Sequence, residues 1–272
     1  MNKIKKEFSF TTDRQIWRLI PTNTNKLIVE DRDKNTKEAF FNCLDICNSK
    51  IIFKNFQIED NFWIGIETVY NDIIFFHKYL KPDMPMHSGL IAYDINSKKV
   101  IWKNDEYNFL FINDSKVYTF KNKFEGREYV VLDFKTGDIL EKHEDDSEKI
   151  NILREYELSK NNFKEYLFPQ TVDLSGSYSF IDILNELRIE KVITGKIDFI
   201  EHKDLLFISF HEILSNGKLK NIFRAVEISS KKIILEEILD NETKLFIPES
   251  FFVRNNLVFL IKEKVKLIIY SF

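Results

Sequence analysis

The feature that most constrains this chain is a hairpin that keeps returning. In Gly89–Trp102, GLIAYDINSKKVIW, residues Leu90, Ala92 and Asp94 alternate with Ile91, Tyr93 and Ile95. Asn96-Ser97-Lys98-Lys99 then supplies a polar turn, and Val100-Ile101-Trp102 resumes the strand. An acidic residue before the turn marks related copies: Cys43-Leu44-Asp45 before ICNSKIIF, Val131-Leu132-Asp133 before FKTGDIL, and Ala225-Val226-Glu227 before ISSKKIIL. The acidic positions 45, 94, 133 and 227 stand 49, 39 and 94 residues apart. The last step is double length, and Phe180-Ile181-Asp182, followed by ILNELRI, is read as a divergent copy within it.

A recurrence of 39 to 49 residues is the period of four-stranded propeller blades. The next acidic position falls at the end of the chain, so Lys266–Phe272 (KLIIYSF) is read as the third strand of a final blade. Lys5–Phe10 (KKEFSF) is then available as its missing strand, which would close the ring and remove exposed edges. The expected fold is all-β: a β-propeller of six blades, each of four antiparallel strands, in a single domain over residues 1–272. Five or seven blades, or two packed β-sandwich domains, are the competing arrangements. Blade four, about residues 148–197, has the weakest pattern, and the Glu, Lys and Leu content of Asn151–Lys164 allows a helix there.

The best hairpin resembles the tryptophan-docking repeat of quinoprotein-type (PQQ-like) propellers, whose pattern is Ala-x-Asp-x-x-Thr-Gly-Lys-x-x-Trp. Ala92, Asp94, Ser97, Lys99 and Trp102 fit it, and Lys98 replaces its Gly. In the next copy Asp133, Thr136 and Gly137 fit and Glu141 replaces the Trp; Phe53 and Leu235 take that position elsewhere. The resemblance implies that the Asp and Thr side chains brace the turn and that the Trp packs between blades. The chain is also similar to an uncharacterised bacterial family of short propeller-like proteins, a domain of unknown function, which implies no activity.

Composition narrows the partners. The 272 residues carry a net charge of −3, and the 31% of charged residues are dispersed. Neither nucleic acid nor an anionic membrane is an expected partner; an unknown protein or small molecule is. Gly and Pro number only 7 and 5, so Asn, Asp, Ser and Lys must make the turns. Cys43 and Cys47, four apart on a strand, span roughly 13 Å and are read as reduced thiols. MNKIKKEFSFTTDR has no apolar stretch of the secretory kind, and no run reaches the ~18 apolar residues of a membrane span. The expected location is the cytoplasm.

Candidate site residues come from inner strands and from loops on one face. In Phe62–Glu67, Trp63, Gly65 and Glu67 share one side, placing Glu67 toward a central channel with Arg18 as its cation partner. Arg32 lies in the loop Asp31–Asn35, and Met86 and His87 lie in the loop Lys81–Ser88, stiffened by Pro82 and Pro85. A third long loop is Asn122–Gly126. His77, His143, His202 and His211 show neither helical pairing nor HExxH, so no metal and no cofactor is expected. No G-x-S-x-G, Walker loop or G-x-G-x-x-G is present. The expected function is a non-catalytic ligand- or protein-binding module; the alternative is a hydrolase or lyase with a channel carboxylate and a divalent metal.

Overall fold

Period-two apolar runs become strands nearly everywhere they occur in the computed structural model, which describes residues 4–59, 61–81, 84–144, 146–160, 163–173 and 177–272. Strand β1 (Lys5–Thr11) precedes three sheets in chain order. The first has β2 (Gln15–Pro21), β3 (Lys26–Arg32), β4 (Ala39–Asp45) and β5 (Lys50–Phe56). The second has β6 (Ile64–Tyr70), β7 (Ile73–Lys81), β8 (Met84–Asp94) and β9 (Lys99–Asn104). The third has β10 (Asn108–Asn113), β11 (Lys116–Lys123), β12 (Gly126–Asp133) and β13 (Ile139–Glu144), and helix α1 (Ser147–Ser159) follows it. Each is a four-stranded antiparallel meander, and together residues 14–163 form one compact unit.

Residues 1–13 and 164–272 form a second unit. Its elements after β1 are β14 (Tyr166–Leu167), β15 (Gln170–Thr171), α2 (Ile181–Glu190), β16 (Ile193–His202), β17 (Leu205–Ile213), β18 (Leu219–Glu227), β19 (Lys232–Thr243), β20 (Phe251–Arg254), β21 (Leu257–Lys262) and β22 (Lys266–Ser271). One sheet has the order β15-β16-β17-β18-β19 and the other β1-β22-β21-β20-β14. The two chain ends therefore share a sheet, as expected, with Lys5 opposite Ser271 and Thr11 opposite Lys266.

Two expectations need correction. Five sheets, not six, are present among the described residues. The stretch read as a fourth blade holds two helices and two short strands that join the sheets of the second unit. Asp182, read as the acidic residue of a divergent hairpin, lies in the first turn of α2. Its neighbours Phe180, Ile183, Leu184 and Leu187 follow helical rather than strand spacing, and bury against Phe199, Leu206, Ile208 and Phe210. Among the described residues, no helix is long and apolar enough to cross a membrane.

The four remaining hairpins share fine structure. In each, the last strand carries one extra residue against its partner just after the turn: Ile52, Ile101, Leu140 and Ile234. In each, the residue that ends the turn has positive φ: Ser49 (52°), Lys98 (57°), Gly137 (74°) and Lys231 (56°). Lys98 thus adopts the backbone of the Gly it replaces, at roughly 1–2 kcal/mol. The Asp94 carboxylate braces that turn by accepting the backbone N–H of Asn96 and Ser97, as Asp133 does for Lys135 and Thr136.

Sheets in the first unit stack through both faces of the middle one. Phe76, Ile91 and Tyr93 pack with Ile28, Phe41 and Cys43 on one side, while Phe75, Ala92 and Trp102 pack with Val117, Val130 and Leu132 on the other. Burial on both faces explains why Ile73–Phe76 is continuously apolar rather than alternating. Trp102 donates its indole N–H to the Phe134 carbonyl at 3.0 Å and lies against the Gly137 turn of the next sheet. A Cβ at Gly137 would stand 2.8 Å from the indole, so the absence of a side chain there seats the ring. We expect Trp102→Ala to cost about 3–5 kcal/mol in denaturant unfolding and Trp102→Phe distinctly less, because only the first empties the site.

In the second unit, burial holds the His211 imidazole below the ordinary histidine pKa, against the opposite pull of Asp198 and Asp240. Its Nε2 accepts the Ile247 N–H, which requires the neutral ring. The unfolded chain takes up this proton more readily than the folded one, so stability is retained above about pH 6.5 and declines below it. Denaturant midpoints between pH 8 and pH 5.5 would show this decline, and His211→Gln would make it shallower, the rest coming from His77 and His202, which burial also holds below the ordinary histidine pKa.

Candidate functional site

Strand β6 lies at the edge of its sheet and leaves one row of carbonyls without ladder partners. Two arginines of the first sheet take them: Arg18 Nη2 donates to Ile66 O and Arg32 Nη2 to Ile64 O, each at 3.3 Å. Both arginines are held by the fully buried carboxylate of Glu30, with Arg18 Nε on Oε2 and Arg32 Nε on Oε1 at 2.8 Å. The expected Arg18–Glu67 pair does not form. Glu30, directly opposite Arg18 in the β2–β3 register, is its partner. Arg32 ends strand β3 rather than sitting in a loop, and its guanidinium lies 5.5 Å from the Trp17 ring centre.

Next to this braced edge stands Glu67, the extra residue where Ile66 pairs with Phe76 and Thr68 with Phe75. A bulge re-aims a side chain out of strict alternation. The Glu67 side chain, 13% exposed, meets two imidazoles. His87 Nδ1 donates to Oε1 at 2.7 Å, and His77 Nδ1 lies 3.1 Å from the same oxygen. The His77 approach is out of line, and neither of its ring nitrogens has a hydrogen bond among the described residues. The two rings stack at 3.5 Å and 9°, and Tyr79 meets both edge-on. Gly65, opposite His77 in register, makes room: a Cβ there would lie 2.7 Å from His77 Nε2.

The electrostatics follow from burial. Desolvation would raise the Glu67 pKa, but the two imidazoles outweigh it and hold the carboxyl below its ordinary value. Burial pushes His77 down, offset in part by Glu67 and reinforced by His87 and Arg18. Near neutral pH the group is therefore an ionised carboxylate beside a neutral, buried imidazole.

Of the six residues singled out from sequence, Trp63 and Glu67 lie in or just before β6, and Arg18 and Arg32 grip its carbonyls. Trp63 meets Tyr79 edge-on at 6.3 Å and its carbonyl accepts the Tyr79 N–H. His87 joins the cluster from β8, while Met86, its exposed neighbour, points to the opposite face. The loop expected over Lys81–Ser88 is largely strand, because β7 and β8 keep pairing out to Lys81 and Met84. Pro85 is tolerated there since β9 pairs with β8 only from Leu90 onward. Pro82 lies outside the described residues. His77 was missed. Glu67, His77 and His87 are ten residues apart on consecutive antiparallel strands, and that spacing is the signal that finds it.

Fold and site define an all-β protein of repeated antiparallel sheets whose second sheet carries a carboxylate–imidazole cluster at its first three strands. Residues 20–102, which hold the whole cluster, match the family described as a domain of unknown function, DUF4905. The matching family is not the quinoprotein repeat that the hairpin resembles. No curated protein matches the chain. Similar solved structures include a DUF4221 family member from Bacteroides vulgatus, with 9% identity, coverage of 99% of this chain and 98% of that one, and a TM-score of 0.31. The AfRom2 CNH domain shows 11% identity, 98% and 97% coverage and a TM-score of 0.33. The uncharacterized protein lmo1340 from Listeria monocytogenes shows 11%, 95% and 78%, and 0.33.

Gly65→Ala should drive His77 from its seat. We expect a loss of about 1–3 kcal/mol in denaturant unfolding. The loss should shrink markedly in a His77→Ala background, and equal losses in both backgrounds would mean that the glycine serves another neighbour.

Proposed function

We propose that the protein is a non-catalytic recognition module of the propeller type, a single cytoplasmic domain that takes a protein segment or small molecule on the β6–β8 face. The observation that carries this reading is the grouping of an ionised, half-buried Glu67 with the partly exposed Trp63 and His87 on a braced strand. Aromatic rings of this kind supply contact area at low entropic cost, and a buried carboxylate supplies orientation. The shared sheet of the two chain ends and the recurring hairpins support the propeller reading. Free Cys43 and Cys47 accord with a reducing compartment.

A hydrolase or lyase is the second reading, favoured by the neutral His77 beside the Glu67 carboxylate. Affinity capture and native mass spectrometry with wild type, Trp63→Ala and Glu67→Gln, all checked for folding, test the first reading. The expected result is a ligand held by wild type and weakened at least about tenfold, or 1.4 kcal/mol, in both variants. Identical capture by all three would remove this face from the site. Turnover of ester, lactone or phosphoester substrates that is lost in Glu67→Gln would instead support the enzyme.

A further inference from the structure

Three donor atoms of the types that bind transition metals meet at one point on the second sheet. The Glu67 oxygen and one nitrogen each of His77 and His87 all lie within 4.8 Å of one another, the only such group among the described residues. They come from three consecutive strands, so sheet hydrogen bonding rather than a loop fixes their spacing.

His77 is the informative member. It is 2% exposed and keeps both ring nitrogens without a hydrogen bond. An unmet buried polar group costs about 1–3 kcal/mol, and native folds rarely keep one without use. Gly65 leaves open the space the ring needs, and Tyr79 fixes its plane. His77 Nδ1 stands 3.1 Å from Glu67 Oε1, the oxygen that His87 Nδ1 also meets. His87, with 42% of its side chain exposed, forms the outer wall and provides a route in from solvent.

Two imidazoles and one carboxylate are a donor set for a borderline first-row ion, not for the all-oxygen preferences of calcium or magnesium. Zinc sites with three protein ligands of this kind keep a further position for water or a ligand. Bonds of about 2.0–2.1 Å in a tetrahedron place donors roughly 3.3 Å apart. The His77–Glu67 spacing is close to this already. The 2.7 Å His87–Glu67 hydrogen bond must break, and His87 must swing out of its 3.5 Å parallel stack with His77 so that the in-plane lone pairs of the two rings converge on one ion, a movement its exposure permits.

We propose that Glu67, His77 and His87 bind one divalent first-row transition-metal ion, zinc being the best match, with a coordination position left open on the His87 side. The proposal stands whether or not the same face recognises a partner.

The test uses the full chain, stripped with a chelator and dialysed. Zn²⁺ alone is titrated against a chromophoric competitor, and Co²⁺ is added separately to read ligand geometry from its visible absorption. The expected result is one equivalent bound. His87→Gln and Glu67→Gln, each with unchanged far-UV circular dichroism, should weaken affinity at least about 100-fold, the upper end of what loss of a supporting residue alone costs. His87 is exposed, so its variant stays informative even if changes at buried His77 disturb folding. Failure to bind one equivalent, or binding that both variants retain, overturns the proposal. Loss of metal binding with intact partner capture would leave the recognition reading standing.

Discussion

An edge strand with unpaired carbonyls is the constraint around which the candidate site is built. Ile64 O and Ile66 O would otherwise rely on water or another chain. Arg18 and Arg32 occupy them instead, and one buried carboxylate, Glu30, holds both guanidinium groups in place. Removing one member of such a buried ion group leaves charge without compensation, which is costly, whereas the intact group adds little net stability. Its value here is positional. It fixes the backbone leading into the bulge that turns Glu67 toward His77 and His87.

The repeated hairpins show how one backbone solution accepts different side chains. Lys98 and Gly137 share the same left-handed turn position, and Trp102 and Glu141 share the same strand position. What is preserved is the extra residue in the last strand and the acidic brace before the turn. Trp102 keeps its size because it fills the space above Gly137, whereas Glu141 is partly exposed and pairs with Lys116.

Much of the fold was legible because its signal is local. Alternation and polar turns located the strands of the first three sheets within a few residues, and the pairing of the chain ends followed from the repeat count. The hairpin expected at Phe180-Ile181-Asp182 is absent because those residues match a three-residue pattern while the wider Phe180, Ile183, Leu184, Leu187 spacing is helical; the helix allowed over Asn151–Lys164 is present as α1. At the site, Trp63 and Glu67 could be placed on one side of a strand. The bulge could not, since it depends on register with β7. Arg18 was given the wrong partner because Glu30 opens the polar run Glu30-Asp31-Arg32-Asp33, which reads as a solvated strand end, and its place opposite Arg18 depends on register. His77 has no ligand-spaced histidine on its own strand; its partners stand on the strands before and after it, so the cluster is written across a meander.

The pairing of β1 with β22 sets a condition on biosynthesis. Lys5 and Ser271, joined by a hydrogen bond, are 266 residues apart in the chain. At ribosomal rates of about 5–20 residues per second, β1 waits roughly 13 to 50 s for its neighbour. The three meanders of residues 14–163 can complete their hydrogen bonding in the meantime, since each contains all its own strands. Strand β1 is thus made before every other strand of the described residues and is among the last of them to find shelter, and its charged stretch Lys5-Lys6-Glu7 suits a segment that must stay dissolved while it waits.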